Sequence, residues 1–216
     1  MSGLLISFEG TEGCGKSTQV SILVDHLRSL GMHVRLVREP GGTPIGEEIR
    51  FTLKHSAKNQ AMTSETELLL INASRAQLVR EVIRPALAAG DVVICDRYFD
   101  STIAYQGYGR GLNLELVQAV IDFAVGSTRP DLTLLLDISL EVSEARVASR
   151  QSTLPFMRDR FEEADRGFFE RAMTGFRALA AREPGRIKTI QADAPVQRVS
   201  AAIWREVEPL LKRVGE

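Results

Sequence analysis

A three-layer α/β/α fold around a central, parallel, five-stranded sheet is what the 216-residue sequence predicts. Short apolar runs, several of them rich in β-branched residues, are separated by segments of helical period. Strands that alternate with helices need crossover connections, and these cover a parallel sheet on both faces. No internal repeat, low-complexity tract or linker divides the chain, so one domain is expected over 1–216.

The run LLISF, Leu4–Phe8, fits a strand buried on both faces. Lys16–Leu30 has helical spacing and stops at Gly31. HVRLV, His33–Val37, reads as the second strand, and helical segments follow over Ile45–His55 and Ser64–Ala89, where Gly90 gives the stop. DVVIC, Asp91–Cys95, has the β-branched character of a central strand. Helical segments over Phe99–Gln106 and Leu114–Val125 lead to LTLLLDI, Leu132–Ile138, another buried strand. Helices flank a polar interval between Arg150 and Asp165 that carries several arginines and Pro155 and reads as an exposed, mobile segment. IKTIQ, Ile187–Gln191, supplies the last strand, and a helix over Pro195–Arg213 closes the chain.

Composition removes several function classes. A net charge of −1 provides no bulk attraction for nucleic acid, and none is expected as a partner. No run of about 18 apolar residues occurs, so no membrane span is expected, and MSGLLISFEG lacks the basic start of a signal peptide. Cys14 and Cys95 are too few for a disulfide framework, which points to a reducing, cytoplasmic setting. His26, His33 and His55 show no ligand spacing.

Gly10-Thr11-Glu12-Gly13-Cys14-Gly15-Lys16-Ser17 matches G-x-x-x-x-G-K-[ST], with an apolar strand before it and a helix after it, and Gly10 through Thr18 are expected to bind the nucleotide. Glycines let backbone N–H groups turn onto phosphate oxygens without a Cβ in the way. Lys16 supplies a charge for the outer phosphates, Ser17 a hydroxyl ligand for Mg²⁺, and the helix N-terminus attracts the anion. The fold class is therefore of the P-loop NTPase type, with ATP and Mg²⁺ as expected cofactors. The reaction is not fixed by this motif.

Further stretches narrow it. Arg38-Glu39-Pro40-Gly41-Gly42-Thr43-Pro44 follows the second strand, Asp96-Arg97-Tyr98 follows DVVIC, and the arginine-rich interval comes later. Ligands of open α/β sheets sit at the carboxyl ends of the strands, so these stretches converge on the cradle. Asp96 is placed to orient Mg²⁺, and Arg97 to hold a second phosphate. Two cationic clamps on one site suggest a phosphorylated acceptor in line with the γ-phosphate of ATP.

FEGTEGCGKST, REPGGTP, DRYFDSTIAYQGYGRG and RPDLTLLLD, in this order, resemble the thymidylate kinase family over nearly the whole length. The resemblance implies transfer of the γ-phosphate of ATP to dTMP, giving dTDP on the route to dTTP, by a homodimer. It implies that Glu12 contacts the acceptor sugar, that Arg38, Arg50 and Arg97 surround the acceptor phosphate with Pro40 nearby, and that Arg75 and Thr102 meet the thymine edge. Tyr105 and Gln106 would sit near the nucleoside, although Tyr105 reads equally as core. Some family members carry an arginine within the loop, where this chain has Gly13 and Cys14. The other arrangement puts basic groups in a mobile lid, here about 146–163, with Arg150 and Arg160 as the candidates and Arg146 packing over adenine. Ala192 would line the adenine pocket, although Gln191-Ala192 departs from the Asp-Ala common there.

Rival readings are a P-loop switch or binding ATPase, a deoxynucleoside kinase, and a kinase of UMP or another monophosphate. No N-K-x-D or D-x-x-G motif follows the loop suitably for a GTPase, and the acceptor-side arginines argue against a bare sugar hydroxyl. Ile71 stands where bacterial members usually present an aromatic against thymine, so the expectation is either that another aromatic such as Phe99 or Tyr98 compensates or that affinity for dTMP is modest. Stacking contributes about 0.5–1.5 kcal/mol beyond area burial. Ile71→Phe is therefore expected to lower KM for dTMP; an unchanged or raised KM would count against a stacking deficit at this position.

Overall fold

The computed structural model describes residues 3–56, 58–151 and 165–214. Five parallel strands, β1 (Leu4–Glu9), β2 (Val34–Arg38), β3 (Val92–Asp96), β4 (Leu132–Asp137) and β5 (Ile187–Gln191), lie in the order β2-β3-β1-β4-β5. The β1 strand is central because every one of its side chains is buried, Leu4 to Phe8 being apolar but for Ser7. At the edge, β2 exposes Leu36, and its range is one residue later than the run HVRLV suggests. Pairing decides this: Val34 is in register with Val92 and Arg38 with Asp96.

The two-residue period of the strands divides the core between the faces. Leu4, Ile6, Phe8, Ile94, Leu134 and Leu136 pack against α1 (Lys16–Ser29) and α9 (Val196–Val214). Leu5, Val93, Cys95, Leu135 and Ile187 pack against α3 (Ser64–Leu78), α6 (Leu114–Val125) and α8 (Arg166–Arg182). Also present are α2 (Pro44–Lys54), α4 (Arg84–Ala88), α5 (Phe99–Thr102) and α7 (Leu140–Gln151). Thr43 caps α2 by accepting the Gly46 N–H at 3.0 Å, which allows Pro44 to open the helix.

Two expected helices are widened. Ser64–Ala89 is interrupted by a π-helical turn at Val79–Ile83, which ends two residues before Pro85, whose missing N–H denies a partner to a carbonyl one turn back. Phe99–Gln106 continues beyond α5 as a π-helical stretch, Ile103–Gly109. There Gly109 lies against Phe168 of α8, and a Cβ would come within 2.6 Å of its ring. This close approach brings Tyr105 and Gln106 to the carboxyl end of the sheet.

A buried polar cluster fastens α5 to the sheet. Ser7 and Thr133 hydroxyls meet at 2.7 Å between β1 and β4, and Arg186 grips Asp100 with two bonds of 2.6 and 2.8 Å. Thr133 also donates to Asp100 at 3.1 Å. Removing one member of such a pair strands the other. Asp100→Ala is expected to lower unfolding stability by about 3 kcal/mol and Asp100→Asn by less, read from urea midpoints.

Candidate active site

At the carboxyl end of the sheet, the turns after β1, β2 and β3 open on one cavity of about 540 Å³. One wall is the glycine-rich loop and the start of α1, with Glu12, Gly13, Gly15, Lys16, Ser17 and Thr18. Arg38, Pro40, Arg50, Asp96 and Arg97 line the cavity too, as do Ile71, Arg75, Thr102, Tyr105 and Gln106. The residues expected for donor and acceptor thus share one space.

Backbone conformation builds the loop. Gly10, Gly13 and Gly15 have φ of 135°, 71° and 93°, values that only glycine adopts readily. A Cβ on Gly10 would stand 2.5 Å from the Leu136 carbonyl oxygen, so β4 itself restricts this position. Lys16 Nζ donates to the Gly10 and Thr11 carbonyls at 3.0 and 2.8 Å and lies 3.5 Å from Cys14 Sγ. From α7, Ser143 donates to the Glu12 carbonyl at 2.6 Å and Arg146 to that of Gly13 at 3.3 Å. Gly10, Thr11 and Cys14 are buried and do not line the cavity; they support the loop from beneath.

Beside the loop, Arg97 has φ 68°, the one positive value for a non-glycine among the described residues. Its backbone N–H donates to Phe8, and its guanidinium donates to the Gly10 carbonyl and to Ser101 Oγ, each at 3.0 Å. Glu9 holds the turn. Its carboxyl accepts from the Tyr98 N–H at 2.8 Å, the Ser101 N–H at 3.3 Å and the Ser101 hydroxyl at 2.5 Å. Burial, and then the neighbouring Asp100, push the Glu9 carboxyl from its ordinary 4.5 up to about 7, against the pull of Arg97 and the hydrogen bonds. Glu9 is one place before the motif, where only its charge at the end of an apolar strand marks it in the sequence.

The remaining expected residues separate into several kinds. Arg38 is exposed and pairs with Glu47 at 3.0 Å, while Arg50 donates to the Pro40 carbonyl at 2.8 Å. Arg75 is buried, and all three of its guanidinium nitrogens meet protein acceptors: Glu39, Asn72, Thr102 and the Tyr98 carbonyl. It therefore acts first as a pillar that fixes Thr102. Burial raises the Glu39 carboxyl, while Arg75 pulls it back. Tyr105 is both core and wall, stacked on Phe168 at 5.8 Å with Arg97 over its ring at 5.1 Å.

Of the two aromatics expected to make up for Ile71, Tyr98 lines the cavity and Phe99 does not. Phe99 lies outside the cavity beneath the guanidinium groups of Arg129 and Arg186, and the buried Tyr98 ties its hydroxyl to the Thr128 carbonyl. The lining also has Phe169, with Glu39, Lys54 and Ser101 as further residues not singled out from sequence. Phe169 was invisible because it comes from α8, far along the chain. Ala192 does not line the cavity; its carbonyl accepts from Arg146, which does. Arg160, most of the lid interval and the side chain of Arg150 lie outside the described residues.

A family model described as thymidylate kinase matches residues 8–203. A thymidylate kinase of Pseudomonas fluorescens strain SBW25 is 48% identical over 213 residues, 99% of each chain. One from Alcanivorax borkumensis is 44% identical over 97% of this chain and 98% of its own. The crystal structure of thymidylate kinase from Ehrlichia chaffeensis superposes with a TM-score of 0.76 at 30% identity, covering 96% of this chain and 99% of its own.

The raised Glu9 group makes a pH prediction. Its folded state holds a proton more tightly than the unfolded chain, so its contribution to stability is complete below about pH 4.5 and is lost as pH rises through about 7. The raised Glu39 works in the same direction. Glu9→Gln is expected to flatten the fall in unfolding midpoint between pH 5 and 8; a slope equal to that of the parent would remove this role.

Proposed function

The chain belongs to the thymidylate kinase family and transfers the γ-phosphate of ATP to dTMP, giving dTDP and ADP, and we propose that the transfer crosses the cavity between the glycine-rich loop and the arginines facing it. The observation that supports this path is the shared cavity, which Lys16, Ser17, Arg38, Arg50 and Arg97 all line. Loop N–H groups and Lys16 hold the donor phosphates, and the arginines hold the acceptor phosphate in line with them. Glu12 orients the acceptor sugar, with Ile71, Thr102, Tyr105 and Gln106 around its base and Arg75 fixed behind Thr102. Arg146 lies toward adenine. A monophosphate whose second pKa is about 6 is already dianionic near pH 7, so its oxygen attacks without a general base.

Ser17 and Asp96 line the same cavity, and among the described residues no group of three or more His, Cys, Asp or Glu side chains forms a metal cage. Two protein oxygens suit Mg²⁺, which keeps its remaining positions for phosphates and water. When bound there, it would neutralise charge on the donor phosphates. Arg150 and Arg160 are the proposed lid residues that stabilise the transferring group. A cytoplasmic setting agrees with Cys14 and Cys95, both buried and unbridged. No described helix is long and apolar enough to cross a membrane. A homodimer is supported by α3 and α6, which pack together and expose Leu69, Leu116 and Phe123.

Purified protein with ATP and Mg²⁺ should release ADP with dTMP and not with thymidine or without acceptor. Lys16→Ala and Arg97→Ala should each lower kcat by about a hundredfold or more with the circular dichroism spectrum unchanged. Near-normal turnover in either would defeat the role given to that residue.

A further inference from the structure

Gln106 lines the cavity and is almost completely buried, so the direction of its amide decides whether the wall presents a donor or an acceptor. The buried Glu67 settles that direction. Arg110 grips Glu67 through both oxygens, with Nε–Oε1 at 3.1 Å and an Nη–Oε2 bond of 3.0 Å. A carboxylate held in this way accepts and does not donate. Gln106 must therefore turn its NH₂ toward Glu67, and it does so at 2.9 Å. Its carbonyl oxygen is left for the cavity.

Four residues earlier on the same helical stretch, Thr102 has the opposite polarity. Its Oγ1 accepts from Arg75 at 2.9 Å, which leaves the hydroxyl proton to be given away. The wall thus pairs an O–H donor with a C=O acceptor. That pair complements a ring carbonyl beside a ring N–H, the imide edge of thymine or uracil. The corresponding edge of cytosine is an amino group beside an unprotonated nitrogen, which places donor against donor and acceptor against acceptor.

We propose that Glu67, which does not line the cavity, is a positioning residue that sets discrimination against cytosine nucleotides by fixing the amide of Gln106. This inference rests on the dTMP kinase reading and adds to it a determinant outside the pocket. Arg110 belongs to the device, since it keeps Glu67 an acceptor and is itself held over the Phe168 ring at 4.5 Å.

The test compares kcat/KM for dTMP, dUMP and dCMP in the parent protein and in Glu67→Gln. With an amide at position 67 either orientation of Gln106 finds a partner, so the dTMP:dCMP ratio is expected to fall by about tenfold or more. The dTMP:dUMP ratio, which reads only the methyl group, should stay within about twofold, whereas general loosening of the pocket would change both. A Glu67→Gln/Arg110→Gln double variant leaves no stranded guanidinium and gives the same reading if the single variant does not fold. An unaltered dTMP:dCMP ratio in either folded variant would overturn the proposal. A parent protein that turns over none of the three nucleotides would instead overturn the phosphotransfer reading, and this inference with it.

Discussion

The carboxyl of Glu9 is the joint on which the catalytic end of the molecule depends. It closes β1, one residue before the phosphate loop, and accepts hydrogen bonds from Tyr98 and Ser101 in the turn after β3. The parallel register of β1 and β3, with Phe8 opposite Asp96, brings these turns side by side. Glu9 then fixes their separation. A left-handed non-glycine residue costs roughly 1–3 kcal/mol, and Arg97 is held in that conformation by these bonds and its own to Gly10. The glycine-rich loop and the Arg97 turn are thereby held at one spacing by a group that does not itself line the cavity.

Glu9 is also an expensive joint. Burial opposes its ionisation, and Asp100 nearby adds to that opposition. The same pattern recurs around the acceptor side of the cavity, where Arg75 pairs with Glu39 and Arg110 with Glu67, while Asp100 and Arg186 pair beneath α5. Buried ion pairs add little net stability relative to well-packed apolar groups, because desolvation offsets attraction. Their contribution here is geometric. Each fixes a polar side chain at a position where its donors and acceptors are already assigned before a nucleotide arrives. A wall organised in this way selects by the polarity of a base edge and not only by its shape.

Tyr105 and Gln106 show how backbone geometry enters the same logic. The widened turn at Ile103–Gly109 and the tight contact of Gly109 with Phe168 allow α8 to lie directly against this stretch. Phe168 therefore supports both Tyr105 and Arg110, and its neighbour Phe169 reaches the cavity. Core packing and site construction are one set of contacts in this region, so Tyr105 belongs to both.

The sequence by itself determined the parallel α/β fold, the loop Gly10–Ser17 and the strand ends at which Arg38, Asp96 and Arg97 emerge. These follow from local constraints: uninterrupted apolar runs, glycines required at positive φ, and charges at fixed offsets after strands. Tertiary structure alone decided that Glu9 stitches the loops, that Arg75 is committed to Glu39 and Thr102, that Glu67 orients Gln106, and that Phe169 and not Phe99 faces the cavity. It also set the widened helical turns, which arise where Pro85 removes a donor and where Gly109 meets α8. Partners such as Glu67 and Gln106, 39 residues apart, have no spacing signature. Hydrogen-bond polarity and burial depend on which surfaces meet in space, and no local pattern of residues encodes that meeting.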